Sequence, residues 1–290
     1  MENKDLKTLI ENYKLSEEEH KTILEELKAN TFSSKNSEGK PSVMFVIGQP
    51  GCGKTTFIQN TNLSNYTIIN SDEYRHLSKY SDEILSQYPT YYTKLTNFDA
   101  HLWGDELFSY AINNGYSVLR EKAPVDYSLL ELIQIIPPEY DLNINVVVTG
   151  NLSSLLATRE RYERELLKGN NAKLSNIEAH NQCYDLLPDF ISRCLQLGVN
   201  VNYVVPYNNR FKTICVGDDY LSLLEKIRQE SNENACIEYE TRINAIKKAM
   251  ESRNAPKQQF DELSKIEKIY FEIANDKEVE DSTSDGFDER

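Results

Sequence analysis

An α/β fold, a mostly parallel sheet flanked by helices, is what this sequence predicts, and three observations carry the prediction. Short β-rich apolar runs alternate with helical stretches through the middle of the chain, one of those runs leads straight into a glycine-rich loop, and both ends turn charged and helix-favouring. Alternation of this kind covers both faces of a sheet with helices. Its strands therefore read as continuous apolar runs.

The elements follow in order. Residues 4–30 place Leu6, Leu9, Ile10, Tyr13, Ile23, Leu24 and Leu27 at a spacing that predicts two short amphipathic helices, and Ser16 with Glu19 is the capping-box pattern of the second. Residues 31–41 are a polar linker full of turn formers. Strands are predicted at 43–47, 66–70, 117–120, 144–149, 201–205 and 212–216, and helices at 55–61, 105–114, 128–135, 153–168, 176–197 and 220–230. Further on, Ile243, Ile246, Leu263, Ile266, Ile269, Tyr270 and Ile273 return at helical spacing. The division this gives is an amphipathic helical segment and linker over 1–40, a core over 41–218, a helical extension over 219–275, and an acidic, disordered tail over 276–290.

A chain of 290 residues suits one α/β core with elaborated ends. Its formal net charge of −14 argues against nucleic acid or an anionic membrane as a partner held by bulk electrostatics, so a phosphorylated ligand needs a local basic pocket. No apolar run resembles a signal peptide or is long enough to span a bilayer, and a cytoplasmic protein is expected. The five cysteines (Cys52, Cys183, Cys194, Cys215, Cys236) are scattered, which points to reduced thiols rather than a disulfide framework or a zinc knuckle.

Gly48-Gln49-Pro50-Gly51-Cys52-Gly53-Lys54-Thr55 matches G-x-x-x-x-G-K-[ST] in the context that motif requires, after the apolar run VMFVI and before a helical stretch. Phosphates need several inward-pointing backbone N–H groups in a tight turn, which glycines permit, and a following helix start adds positive potential. Lys54 is expected on the β- and γ-phosphates of ATP or GTP, and the Thr55 hydroxyl on Mg²⁺. The chemistry so implied is that of a P-loop kinase.

On the acceptor side, the 66–70 strand delivers Ser71-Asp72-Glu73 at its carboxyl end, where ligands bind in open α/β sheets. Asp72 is placed to orient an acceptor hydroxyl and take its proton, and could equally cap a helix starting near Glu73. Glu121, just past the 117–120 strand, is a second rim carboxylate for substrate or metal-bound water. Asp105, near a helix start, suits a substrate hydroxyl or the helix dipole. Arg159, Arg161 and Arg164 lie on successive turns of one helix and suit a triphosphate and its developing charge, or a salt-bridged helix with Glu160 and Glu163. Residues 168–173 read as a loop that closes over the nucleotide, with Lys173 reaching in. His180, in a helix of apolar positions, reads as structural, and the aromatic segment from Tyr88 to Trp103 as core or as a cleft wall.

The segments GQPGCGKTT, IINSDEY, GYSVLRE, TRERYE, EAHNQ and VNYVVPYNNRFKTICV, in this order and spacing, resemble the zeta-toxin family of P-loop kinases over residues 42–218. The resemblance implies the toxin of a toxin–antitoxin pair, phosphorylating a hydroxyl of a nucleotide sugar of the UDP-N-acetylglucosamine type. It also implies that Gly48, Gln49, Pro50, Gly51, Cys52, Gly53, Lys54, Thr55 and Thr56 hold the nucleotide and that Thr55 holds the metal. Asp72 then resembles the base, Glu121 and Asp105 the substrate-binding carboxylates, and Arg161 the arginine near the phosphates. Two departures stand out: Glu121-Lys122-Ala123 replaces the usual Glu-Gly-Thr, and Lys173 replaces a second arginine. The family also implies an antitoxin docked near the N-terminal helices, whose apolar stripes equally suit the chain's own C-terminal helices. A P-loop kinase of another small molecule or of a nucleic-acid end, or a non-catalytic nucleotide-binding module, are the other readings of the same loop.

Overall fold

The computed structural model describes residues 3–33, 39–88, 91–170, 172–207 and 210–284. Among these, six strands form one mostly parallel sheet: β1 (Ser42–Ile47), β2 (Thr67–Ile69), β3 (Val118–Lys122), β4 (Asp141–Val147), β5 (Asn200–Tyr207) and β6 (Arg210–Cys215), in the order β2-β3-β1-β4-β5-β6. β2 runs parallel to β3, and β5 and β6 form an antiparallel hairpin in which Asn202 faces Cys215 and Tyr207 faces Arg210. The apolar reading of the central strand holds, since Val43, Phe45, Val46 and Ile47 of β1 are all fully buried.

The helices are α1 (Asn3–Asn12), α2 (Glu17–Phe32), α3 (Lys54–Asn60), α4 (Ser81–Gln87), α5 (Tyr92–Asn113), α6 (Ser128–Gln134), α7 (Asn151–Leu167), α8 (Ile177–Gln196), α9 (Tyr220–Ser252) and α10 (Lys257–Ser284), with a 3₁₀ helix at Ser71–Leu77. Among the boundaries that differ from the sequence expectation, three bear on expected roles. The chain after β2 turns into the 3₁₀ helix at once, with Asn70 rather than Asp72 as its cap, because the Asn70 side chain accepts the Asp72 N–H at 3.1 Å. α5 starts thirteen residues earlier than the expected 105 and takes in most of the aromatic segment, so Asp105 sits in mid-helix and cannot complement a helix start. The acidic tail, expected to be disordered from 276, continues α10 as far as Ser284, while 285–290 lie outside the described residues, as do 34–38 of the expected linker.

The chain divides into two compact units. The first, Met1–Val46, Thr61–Lys122 and Glu131–Asn143, carries α1, α2, the 3₁₀ helix, α4 and α5. Its N-terminal helices turn their apolar stripes to α4 and α5: Tyr13 packs on Ile84 and Leu95 with Tyr80 and Tyr88 around it, and its hydroxyl donates to Glu83 at 2.8 Å. On α2, His20 lies between Asp99 (2.9 Å) and Glu106 (2.8 Å) of α5 and stacks on Trp103, whose Nε1 donates to the His20 carbonyl. The aromatic segment is therefore packing for the N-terminal helices, with only Phe98 half exposed.

The second unit, Ile47–Asn60, Ala123–Leu130 and Ile144–Arg290, holds the glycine loop, α7, α8, the β5–β6 hairpin and the C-terminal helices. Leu152, Leu155 and Leu156 of α7 share one apolar cluster with Ala235, Tyr239, Ile243, Ile246 and Met250 of α9 and Leu263 and Ile266 of α10. Tyr239 and Tyr270 stack face to face at 3.7 Å within it.

Candidate functional site

The glycine loop leaves β1 and enters α3. At Gly51 the backbone lies at φ +83°, and a Cβ there would meet the Ser154 carbonyl oxygen at 2.1 Å and Thr158 Cγ2 at 2.8 Å. No other residue fits, so the loop rests directly on the face of α7 that carries Ser154 and Thr158. Lys54 is 7 % exposed, and its ammonium donates to the Gly48 carbonyl (2.9 Å) and the Gln49 carbonyl (3.2 Å), so the loop closes around its own cation. Thr55 and Thr56 are exposed at the start of α3, and Phe57 packs edge-on against Phe211 of β6.

Two loop residues turn their side chains into the protein. Gln49 is buried, donating through Nε2 to the Thr149 carbonyl (3.0 Å), the Thr149 hydroxyl (3.1 Å) and Ser154 Oγ (3.3 Å). Cys52 is buried as well. Only their backbone remains for a ligand. Behind them, His180 is fully buried with Nε2 on Ser154 Oγ (2.8 Å) and Nδ1 on Asn181 Oδ1 (3.0 Å). Burial lowers its pKa to about 4, against the Asn181 hydrogen bond and with the Lys54 charge, so it is neutral at pH 7 and structural, as the sequence suggested.

α7 sorts the three arginines that spacing alone left together. Arg159 is buried on Glu262 of α10 at 2.9 Å, and Arg164 is exposed beside Glu165. Their acidic neighbours are also taken: Arg242 grips Glu160 through two bonds of 2.6 and 2.8 Å, and Arg253 grips Glu163 through two of 2.7 Å. Arg161 points the other way and donates to Ser175 Oγ at 3.4 Å, in the segment that carries the exposed Lys173.

In the first unit, the candidate base is held from below. Arg75, 5 % exposed, reaches Asp72 Oδ1 at 2.7–2.8 Å and spends its other donors on the Thr93 carbonyl (3.0 Å), Thr96 Oγ1 (3.3 Å) and Asn97 Oδ1 (3.0 Å). Asp72 is thus fixed to α5 while its carboxylate stays half exposed. Asp105 pairs with Arg120 at 2.8 Å and lies 3.8 Å from Lys122. Strand alternation puts Glu121 on the opposite face of β3 from those two cations, so the two expected substrate carboxylates do not stand side by side.

Arg120 is 1 % exposed, and although it lies at ion-pair distance from Asp105, none of its nitrogens has a hydrogen bond of good angle among the described residues. Gly104 makes room for it: a Cβ there would sit 2.2 Å from Ser71 Oγ and 3.2 Å from Arg120 Nη2. His101 lies among the same charges. Burial, then the Lys122 and Arg75 charges, lower its pKa to about 4 against Asp72 and Asp105. Arg75, His101 and Arg120 were missed in the sequence, yet each leaves a signal there. Asp72 and Arg75 are three apart, His101 and Asp105 four apart on one helix, and Arg120 is a charge inside an apolar strand.

A mostly parallel sheet whose central strand enters a glycine loop closed on a lysine defines the class as P-loop and kinase-like. The model of the Zeta toxin family matches residues 25–216, and the chain belongs to that family. Among solved structures, a chain from the PezAT chromosomal toxin–antitoxin system of Streptococcus pneumoniae is 21% identical at a TM-score of 0.64, covering 81% of this chain and 98% of that one. The native AvrRxo1-ORF1:ORF2 complex contains a chain 12% identical at a TM-score of 0.51, covering 72% of this chain and 71% of that one. The same complex with ATP gives 13%, 0.50, 73% and 71%. At these identities the likeness is one of fold. No curated protein matches the chain. Among the described residues, no helix is long and apolar enough to cross a membrane.

Proposed function

We propose that this chain is a phosphotransferase that moves the γ-phosphoryl group of ATP or GTP to a hydroxyl of a nucleotide sugar of the UDP-N-acetylglucosamine type. The observation that carries this reading is the pairing of two devices in a Zeta toxin family chain: a glycine loop gathered around Lys54, and a carboxylate, Asp72, fixed by Arg75 yet left open to solvent. The loop's backbone N–H groups and Lys54 hold the triphosphate, and Arg161 and Lys173 neutralise the group in transfer. Thr55, exposed at the loop's end, would hold Mg²⁺, which offsets phosphate charge when bound. Asp72 takes the proton of the acceptor hydroxyl as its oxygen bonds the γ-phosphorus. The bond from that phosphorus to the β–γ bridging oxygen breaks, and a nucleoside diphosphate leaves. Asp105 and Glu121 bind the acceptor. In the cell the protein works as the toxin of a pair, in the cytoplasm, restrained by an antitoxin.

Mass spectrometry of purified protein with ATP, GTP, Mg²⁺ and a panel of UDP-sugars tests this. A gain of one phosphoryl group on a UDP-sugar is expected, falling by about 10²–10⁴-fold in Asp72→Asn at unchanged nucleotide affinity. Nucleotide turnover without any labelled UDP-sugar would overturn the acceptor assignment.

A further inference from the structure

The family-matched segment ends at residue 216, before α9 and α10 begin. Their contacts in the second unit converge on α7. That helix begins badly: its cap position is Gly150, which has no side chain to accept an orphan N–H. Asn232 of α9 does so instead, accepting the Leu152 N–H at 3.1 Å, and it sits so close that a Cβ on Gly150 would lie 2.0 Å from its Oδ1. Arg242 of α9 and Arg253 at its C-cap hold Glu160 and Glu163, one turn apart on α7, each through two bonds, and Glu262 holds Arg159.

These grips all fall on one side of α7. Ser154, Thr158 and Arg161 are spaced by four and three residues and so share another side, the one on which Gly51 rests. α7 is thus clasped by α9 and α10 on one face and touches the phosphate loop with the other.

We infer that α9 and α10 are a positioning element for the nucleotide site: they clasp one face of α7 so that Arg161, on its other face, is held at the transferred phosphate. Arg242 and Arg253 are the positioning residues, acting through Glu160 and Glu163. The inference rests on the phosphotransferase reading only in the role it gives Arg161. A rim displaced by a fraction of an ångström is enough to matter, since misplacement by about 1 Å far from the chemistry can cost about a hundredfold in rate.

The test uses the full chain and three readouts: turnover, the affinity ratio of a non-hydrolysable ATP analogue to ADP, and thermal unfolding. Arg242→Glu is expected to lower turnover by about ten- to a hundredfold and to erase the preference for the ATP analogue, with ADP affinity changing less than about threefold. The charge swap Glu160→Arg with Arg242→Glu should restore both. Adding Arg161→Ala to Arg242→Glu should cost nothing beyond Arg161→Ala alone, because the two act through one group. If Arg242→Glu does not fold, Arg242→Gln and Arg253→Gln carry the same comparison. Losses that add to those of Arg161→Ala, or that fall equally on ADP, would overturn the inference. So would a single reversal with wild-type turnover. Wild-type protein that binds neither nucleotide would end the phosphotransferase reading, and this inference with it.

Discussion

Replacing Gly51 by alanine adds a single carbon, and the structure says where the carbon goes. It lands 2.1 Å from the Ser154 carbonyl oxygen and 2.8 Å from Thr158 Cγ2, on a residue whose φ is +83°. An L-residue in that conformation costs about 1–2 kcal/mol, and an overpacked contact costs about 1–3 kcal/mol more. The oxygen belongs to helix backbone and cannot rotate away, so either the loop or α7 must move. α7 is pinned by its apolar cluster and its ion pairs with α9 and α10, which leaves the loop to shift. If about 2–5 kcal/mol falls on the loop's binding shape, affinity for a Mg²⁺–ATP analogue drops by roughly 30-fold to several thousandfold. Calorimetric titration of the variant reads this directly, with circular dichroism to confirm the fold. Gly198→Ala is the control: it also has a positive φ, +72°, with nothing within 4 Å of the added carbon, so it should lose a little stability and no affinity. Nucleotide binding by Gly51→Ala within about twofold of wild type would refute the reasoning, because it would mean the loop does not depend on its seat against α7.

Two further outcomes follow from buried histidines. His180 titrates at about 4 in the fold against 6.5 ordinarily, so between those values the unfolded chain binds a proton that the folded chain does not. Its contribution is complete above pH 6.5 and is lost as pH falls toward 4, by about 3 kcal/mol, so urea midpoints of His180→Asn should fall less steeply over that window; an identical slope in both proteins would exclude His180 as a source. His20→Ala leaves Asp99 and Glu106 without their shared partner and strips one face of Trp103, the single tryptophan. Stability should fall by about 1–3 kcal/mol and tryptophan emission should shift to the red, whereas unchanged emission would show that the stack does not shield the ring.

Local chemistry was legible from the residues alone. The glycine loop with Lys54 and Thr55, the alternating strands and helices, the Ser16–Glu19 capping box and the strand-end placement of Asp72 each depend on neighbours within a few positions, where sterics and hydrogen bonding act on the chain itself. Those signals place the chain among P-loop kinase-like proteins and point to the Zeta toxin family. Spacing alone could not tell Arg161 from Arg159 and Arg164, since all three share a helix; the family resemblance singled it out, and packing then commits Arg159 to Glu262 of α10 and Arg161 to Ser175. Gln49 reads as a ligand-facing loop residue until Thr149 and Ser154 claim its amide. Arg75 and Arg120 gain meaning only once α5 crosses them, and Asn232 becomes a helix cap for a segment eighty residues earlier only after folding. The division is physical: a motif is set by contacts along the chain, whereas the partner of a buried charge or an uncapped helix is whichever group the tertiary fold brings within about 3 Å.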